Sequence, residues 1–322
     1  MSVSIGWIVH PSDIDPRLIE ALAKAGVNEL GVHPGGGRMA GALMKQTLSF
    51  WLSVRGQALR ALCESHGLKV ECDAHVLSYL LPREEFSRHP EWFRMDEDGK
   101  RNPDSNLCAS SPEALAFLEK RAYELGQKLY TPSHRYPWWP DDVRGGACHC
   151  PACRSYTKAE QALLITNAIA RGVKRADPMG TVGYLAYQDT LETPRRVTPE
   201  KGVYLEFAPI DRLSDTAIDD AGCEENARQI SNLPALLDLF GRENARVLEY
   251  WVDNSLFSNW RRPPVPFQLN KEVLRRDVAY YRRAGFQNYT SFACYLGPDY
   301  AAAYGEIPIE QYADIIRQTG EA

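Results

Sequence analysis

Residues 136–142 read Tyr-Pro-Trp-Trp-Pro-Asp-Asp, an aromatic run that stops on two adjacent carboxylates. Cleaving a glycosidic bond takes a carboxylic acid on the leaving oxygen and a second carboxylate as base or nucleophile, so such groups are candidates for that chemistry. Successive side chains of extended backbone point to opposite faces. One of Asp141 and Asp142 is therefore expected to be the main proton donor, while the other orients it, holds substrate or caps the loop. Glu249 stands out for another reason: it interrupts the apolar run 247–252, where an unpartnered carboxylate would be costly. The preferred reading is a reacting carboxylate beside an aromatic platform, with Glu249, Trp251 and Asp253 alternating onto one side of a strand; the other is an ion pair with a basic residue such as Arg212. Glu206, inside VYLEF, allows the same two readings.

These residues need a frame to bring them together, and the chain alternates short apolar runs with amphipathic stretches. Strands are expected at residues 3–9, 27–32, 68–76, 134–139, 182–188, 203–208, 245–252 and 289–296. Helices are expected at 13–26, 44–66, 111–128, 152–175, 270–285 and 309–319, the third opening on a Ser-Pro-Glu start signal. Only a short proline-containing segment, 191–201, joins strands five and six, so the fifth helix is expected to be short or missing. Eight strands alternating with helices imply a parallel sheet, and closure into a (β/α)8 TIM barrel would bury every strand edge; an open doubly wound sheet is the alternative. One domain over residues 1–322, with elaborated loops after strands three and four, accounts for the length.

In such a barrel the reactive groups lie at the C-terminal strand ends. The candidate substrate-binding groups there are Trp7, His10, His33, His75, Trp139, Tyr187, Glu206, Asp211, Arg212, Trp251, Asp253 and Tyr295. The tryptophans and Tyr187 offer flat faces for sugar rings, although such residues more often fill cores.

Bulk properties narrow the partners. The hydrophobic fraction of 44%, charged fraction of 25% and net charge of −5 suit a globular protein without a basic nucleic-acid or anionic-membrane surface. No apolar run reaches the roughly 20 residues of a membrane span, and the first residues lack a signal-peptide pattern. The expectation is a cytoplasmic protein, or a secreted one if a leader has been removed, with a carbohydrate partner and an oligomeric state that the sequence leaves open. Cys148, Cys150 and Cys153 form a C-x-C-x2-C cluster directly after the aspartates. A structural zinc site, with Cys223 as the preferred fourth ligand and His149 as the fallback, is one reading; a disulfide and free thiols are the others. No cofactor is expected for catalysis. The Gly35-Gly36-Gly37 run lacks the lysine and serine of a phosphate-binding loop and is read as a flexible loop.

The segments HPEWFRMDEDGKR (89–101), NLCASSPE (106–113), YPWWPDDVRGGACHCPAC (136–153), GYLAYQDTLETP (183–194), FAPIDR (207–212), CEEN (223–226) and LEYWVDNS (248–255) resemble a large group of glycoside-hydrolase-like barrels. That group is a domain of unknown function related to α-glucuronidases and family-20 hexosaminidases. The resemblance implies a (β/α)8 fold, a sugar-binding mouth, and Asp141 or Asp142 as the acid on strand four. The hexosaminidases carry Asp-Glu there, whereas this chain has Asp-Asp, a departure that bears on any substrate-assisted mechanism. Three functions follow in order of preference: a glycoside hydrolase using Asp142, Asp141 and Glu249; a sugar-binding barrel without turnover; and a metal-dependent sugar isomerase or epimerase with His33, His75, Glu206 and Glu249 as ligands.

Overall fold

The computed structural model describes residues 3–319. Its strands are β1 (Ser4–Val9), β2 (Glu29–Val32), β3 (Lys69–Cys72), β4 (Ala74–His75), β5 (Arg135–Tyr136), β6 (Trp138–Trp139), β7 (Thr181–Tyr187), β8 (Val203–Ala208), β9 (Arg246–Glu249) and β10 (Asn288–Phe292). Breaks at Asp73 and Pro137 split the third and fourth barrel strands into β3–β4 and β5–β6. The main sheet runs β3-β2-β1-β10-β9-β8-β7-β5, and β4 pairs in parallel with β6 through Ala74–Trp138 and His75–Trp139. Those pairings join eight parallel barrel strands in a nearly closed ring, so the fold is the expected (β/α)8 barrel.

By contacts the chain divides into two compact units. The first comprises Met1–His33, Phe50–Glu71 and Glu206–Ala322, and the second Pro34–Ser49 with Cys72–Leu205. In the second, the helices Pro112–Gly126 and Lys158–Ala176 pack closely because Gly172 has no side chain; a Cβ there would collide with the Glu119 carbonyl. Thr157 and Glu160 start the longer helix with reciprocal side chain–backbone hydrogen bonds, and Ser111 caps the other by accepting from Ala114 N–H at 3.3 Å. Between β7 and β8 the chain forms only a short turn at Gln188–Thr190, as expected for a lost fifth helix.

Three local expectations are corrected. The single helix over 44–66 is two, Ala40–Leu52 and Val54–Ser65, because the Ser53 hydroxyl caps the second by accepting from Gly56 N–H at 3.2 Å. The connection between β8 and β9 carries Glu224–Ile230 and Leu233–Phe240, helices too short to give a strong periodic signal. The seventh barrel strand ends at Glu249, since Tyr250–Val252 turn away and Asp253 N–H bonds to the Tyr250 carbonyl at 3.2 Å.

The first unit buries a charge cluster on its strands. Arg246 of β9 donates to Glu206 of β8 at 2.7 Å and Glu71 of β3 at 2.6 Å, with Glu29 of β2 at 3.9 Å. All four side chains are buried. Such charges persist only when paired, and removing one partner leaves the others uncompensated. Arg246→Met is expected to lower stability by about 3–5 kcal/mol in denaturant unfolding; a loss below about 1 kcal/mol would show that the cluster does not hold these strands.

Candidate functional site

In the second unit, Asp141 and Asp142 follow β6 and have different surroundings. Asp141 Oδ1 accepts from Ser78 N–H at 3.0 Å, while Oδ2 accepts from Asn106 N–H at 2.7 Å and from the Arg83 guanidinium. Three donors on two oxygens make Asp141 an anchor for the long connection between β4 and the helix Pro112–Gly126. Asp142 has one such partner, the Tyr187 hydroxyl, 3.1 Å from Oδ1. Its other oxygen lies 2.5 Å from where a Cβ on Gly36 would stand, so that one glycine of the run leaves room for this carboxylate. His75 places Nδ1 2.6 Å from the Pro140 carbonyl and its ring edge on Trp139. A cavity of about 70 Å³ opens beside them, lined by His75, Asn106, Asp141, Gln161, Tyr187 and Asp189 among others. It has room for a few waters or one ring substituent, well short of the roughly 300 Å³ of a small-molecule pocket.

The first unit brings a different set to its strand ends. Rings follow one another from Tyr295 to His10 (6.0 Å between centroids), His10 to His33 (5.7 Å), His33 to Phe292 (5.0 Å) and Phe292 to Tyr250 (5.4 Å, stacked). The Arg262 guanidinium lies 4.2 Å over the Tyr295 ring and pairs with Asp13. Phe292 and Tyr250 are the members that sequence reasoning missed, since each sits in an apolar run that reads as core.

The remaining candidates are mostly internal. Trp7 and Trp139 are buried, Trp7 against Tyr312. Glu206 is in the Arg246 cluster, and Asp211 is exposed. Glu249, only 1% exposed, accepts from Arg212 at 2.8 Å and from the Tyr281 hydroxyl at 2.6 Å. Asp277 also accepts from Arg212 and takes the Trp251 indole N–H at 2.8 Å. Burial raises the Glu249 pKa, against the pull of Arg212. The expected alternation of Glu249, Trp251 and Asp253 fails because the strand has ended: Trp251 lies in a turn, and Asp253 caps the short helix Asn254–Phe257.

The thiols also rearrange the expected set. Cys108, Cys148, Cys150 and Cys153 place their sulfurs within 4.8 Å of one another. Cys223 is instead the residue preceding the helix Glu224–Ile230, and His149 pairs loosely with Glu97, so the fourth member is Cys108. Hydrogen bonds from Cys148 and Cys153, with Arg101 adding, hold the Cys108 thiol well below its ordinary range, and the contact with Cys108 pushes Cys153 up. Among the described residues this is the one group of three or more ligating side chains close enough to share an ion. Of the residues named for the isomerase reading, Glu206 is paired with Arg246, and Glu249 with Arg212 and the Tyr281 hydroxyl.

Residues 43–293 match the family model described as "Domain of unknown function (DUF4838)". The chain belongs to the DUF4838 family. No curated protein matches it. Among solved structures it is similar to a β-galactosidase from the psychrophilic Marinomonas ef1, with a TM-score of 0.54 at 12% identity over 98% of this chain and 59% of that one. A glycoside hydrolase family 5 enzyme from Prevotella bryantii, in complex with a xyloglucan tetradecasaccharide, gives 0.53 at 9% over 95% and 86%. A broad-specificity endoglucanase from Bacteroides salanitronis gives 0.51 at 14% over 98% and 93%. At these identities the likeness is one of fold: this DUF4838 chain has the glycoside-hydrolase-like barrel and spans 59% of the length of the Marinomonas chain. Among the described residues no helix is long and apolar enough to cross a membrane.

Asp253 gives this DUF4838 barrel a testable pH dependence. Burial pushes its carboxyl up to about 6, against the Ser255 hydrogen bonds that pull it down. A carboxyl raised in the folded state adds stability that is present below its unfolded pKa of about 4 and lost as pH rises through about 6. Asp253→Asn keeps a capping side chain but no charge. Its stability relative to wild type should improve by on the order of 2 kcal/mol between pH 4 and pH 7.5; a constant difference across that range would contradict the assignment.

Proposed function

We propose that this protein is a glycoside hydrolase in which Asp142 donates the proton to the leaving oxygen. The observation that carries the reading is the contrast between the two neighbouring aspartates. Asp141 is fully engaged by Ser78, Arg83 and Asn106, whereas Asp142 has a single hydroxyl partner, Tyr187, and a neighbouring glycine that leaves it room. Asp142 follows β6, the outer part of the fourth barrel strand, and the C-terminal strand ends of a (β/α)8 barrel are where loops that carry chemistry gather. The cavity beside Asp141 and Tyr187 suits a substituent of a sugar, with the ring itself outside it.

The test is turnover of galactosides, cello-oligosaccharides and xyloglucan oligosaccharides, the first probes suggested by the proteins that share the fold. Asp142→Asn should lower kcat/KM on substrates with poor leaving groups by about 100-fold or more, with a smaller effect on nitrophenyl glycosides, whose leaving group needs little protonation. An Asp142→Asn enzyme as fast as wild type on both would sink the reading. Glu249, the further carboxylate singled out by the sequence, is tested separately: loss of turnover at unchanged stability in Glu249→Gln supports a reacting role, while loss of stability supports its role as partner of Arg212. A sugar-binding barrel without turnover is the second reading, favoured by the occupied state of Glu249. Calorimetric saccharide binding with no hydrolysis would select it.

A further inference from the structure

We propose that Cys108, Cys148, Cys150 and Cys153 bind one zinc ion as a closed tetrathiolate site that fastens the loop bearing Asp141 and Asp142. Four thiolates about Zn²⁺ at roughly 2.3 Å form a tetrahedron with edges of about 3.8 Å. Cys108 Sγ lies 3.6 Å from Cys150 Sγ and 3.8 Å from Cys153 Sγ, and no pair of the four sulfurs is further apart than 4.8 Å. A disulfide would need about 2.05 Å. The distances are those of sulfurs around a common centre, not of a bonded pair.

The surroundings agree. All four residues are buried, with Cys108 at 3% and Cys153 at 0% exposure, so no open position remains for a water or substrate and the site is of the structural kind. Four thiolates on one Zn²⁺ carry two net negative charges, which require donors from the second layer. Met95 N–H points at Cys148 Sγ from 3.3 Å and Arg101 approaches the same sulfur at 3.7 Å, while the Cys153 thiol donates to Ser110 Oγ at 3.1 Å, a hydroxyl that can turn to donate once that sulfur is a thiolate. Binding releases the thiol protons to solvent.

The site also answers a question of order. Between β6 and the helix Lys158–Ala176 the chain has only a short turn at Cys153–Ser155 as regular structure. Gln161 contributes by accepting from Cys148 N–H and donating to the Cys148 and Cys153 carbonyls. Cys108 comes from the segment before the helix Pro112–Gly126, so an ion on the four sulfurs cross-links two stretches of the second unit that are distant in sequence. The inference concerns the ion and does not depend on the reaction proposed above.

The full chain, purified reduced from zinc-supplemented medium and dialysed, is analysed for metal by mass spectrometry. About one zinc per chain is expected, with at least tenfold less in Cys108→Ser and an undiminished amount in Cys223→Ser. Cobalt added to the metal-free wild-type chain should give the visible bands and thiolate charge transfer of tetrahedral sulfur coordination. The proposal is overturned by wild-type protein without bound metal, by a disulfide within the four, by iron in place of zinc, or by equal zinc loss in Cys223→Ser and Cys108→Ser. If Cys108→Ser fails to fold, wild-type stoichiometry and the cobalt spectrum still decide.

Discussion

A charge removed from water must find its counter-charge, and this requirement shapes the interior of the barrel. Arg246 gathers carboxylates from β2, β3 and β8, so four strands of the first unit are tied by one guanidinium as well as by their backbone ladders. Arg212 does the same for Glu249 and Asp277, and Tyr281 and Trp251 donate to the same two carboxylates. In the second unit Arg83 and two backbone amides hold Asp141. Acidic residues in apolar strands are therefore mostly occupied. The few carboxylates with spare capacity become informative by contrast, and Asp142 is one of them.

The barrel itself was legible because its signals are periodic and repeated. The bounds of β8 and the absence of a full helix after β7 follow directly from the apolar run 203–208 and the proline-containing segment before it. What escaped were features set by single side chains. Ser53 divides a helical stretch that hydrophobic spacing alone reads as continuous, and a turn at Tyr250 ends a strand whose apolar run goes on to Val252. Both outcomes depend on local hydrogen bonds that periodicity does not sense.

The site was partly legible for the same reason. Strand parity required the two aspartates to differ, but only the partners Ser78, Arg83 and Asn106, which lie 35 to 63 residues earlier in the chain, show which one is engaged. The surroundings of Gly36 could not be read either, because the carboxylate that packs against it, Asp142, is far away in the chain. Cys108 sits forty residues before Cys148, outside the C-x-C-x2-C spacing, while Cys223 in its acidic segment offered itself as the fourth ligand. Spacing identifies a cluster only when its members are close in sequence.

An oligosaccharide trapped on the Asp142→Asn protein and seen in a crystal structure tests the central claim most directly. The account predicts a glycosidic oxygen within hydrogen-bond reach, about 3 Å, of the side chain at position 142. A sugar bound with its glycosidic oxygens far from that side chain would contradict it.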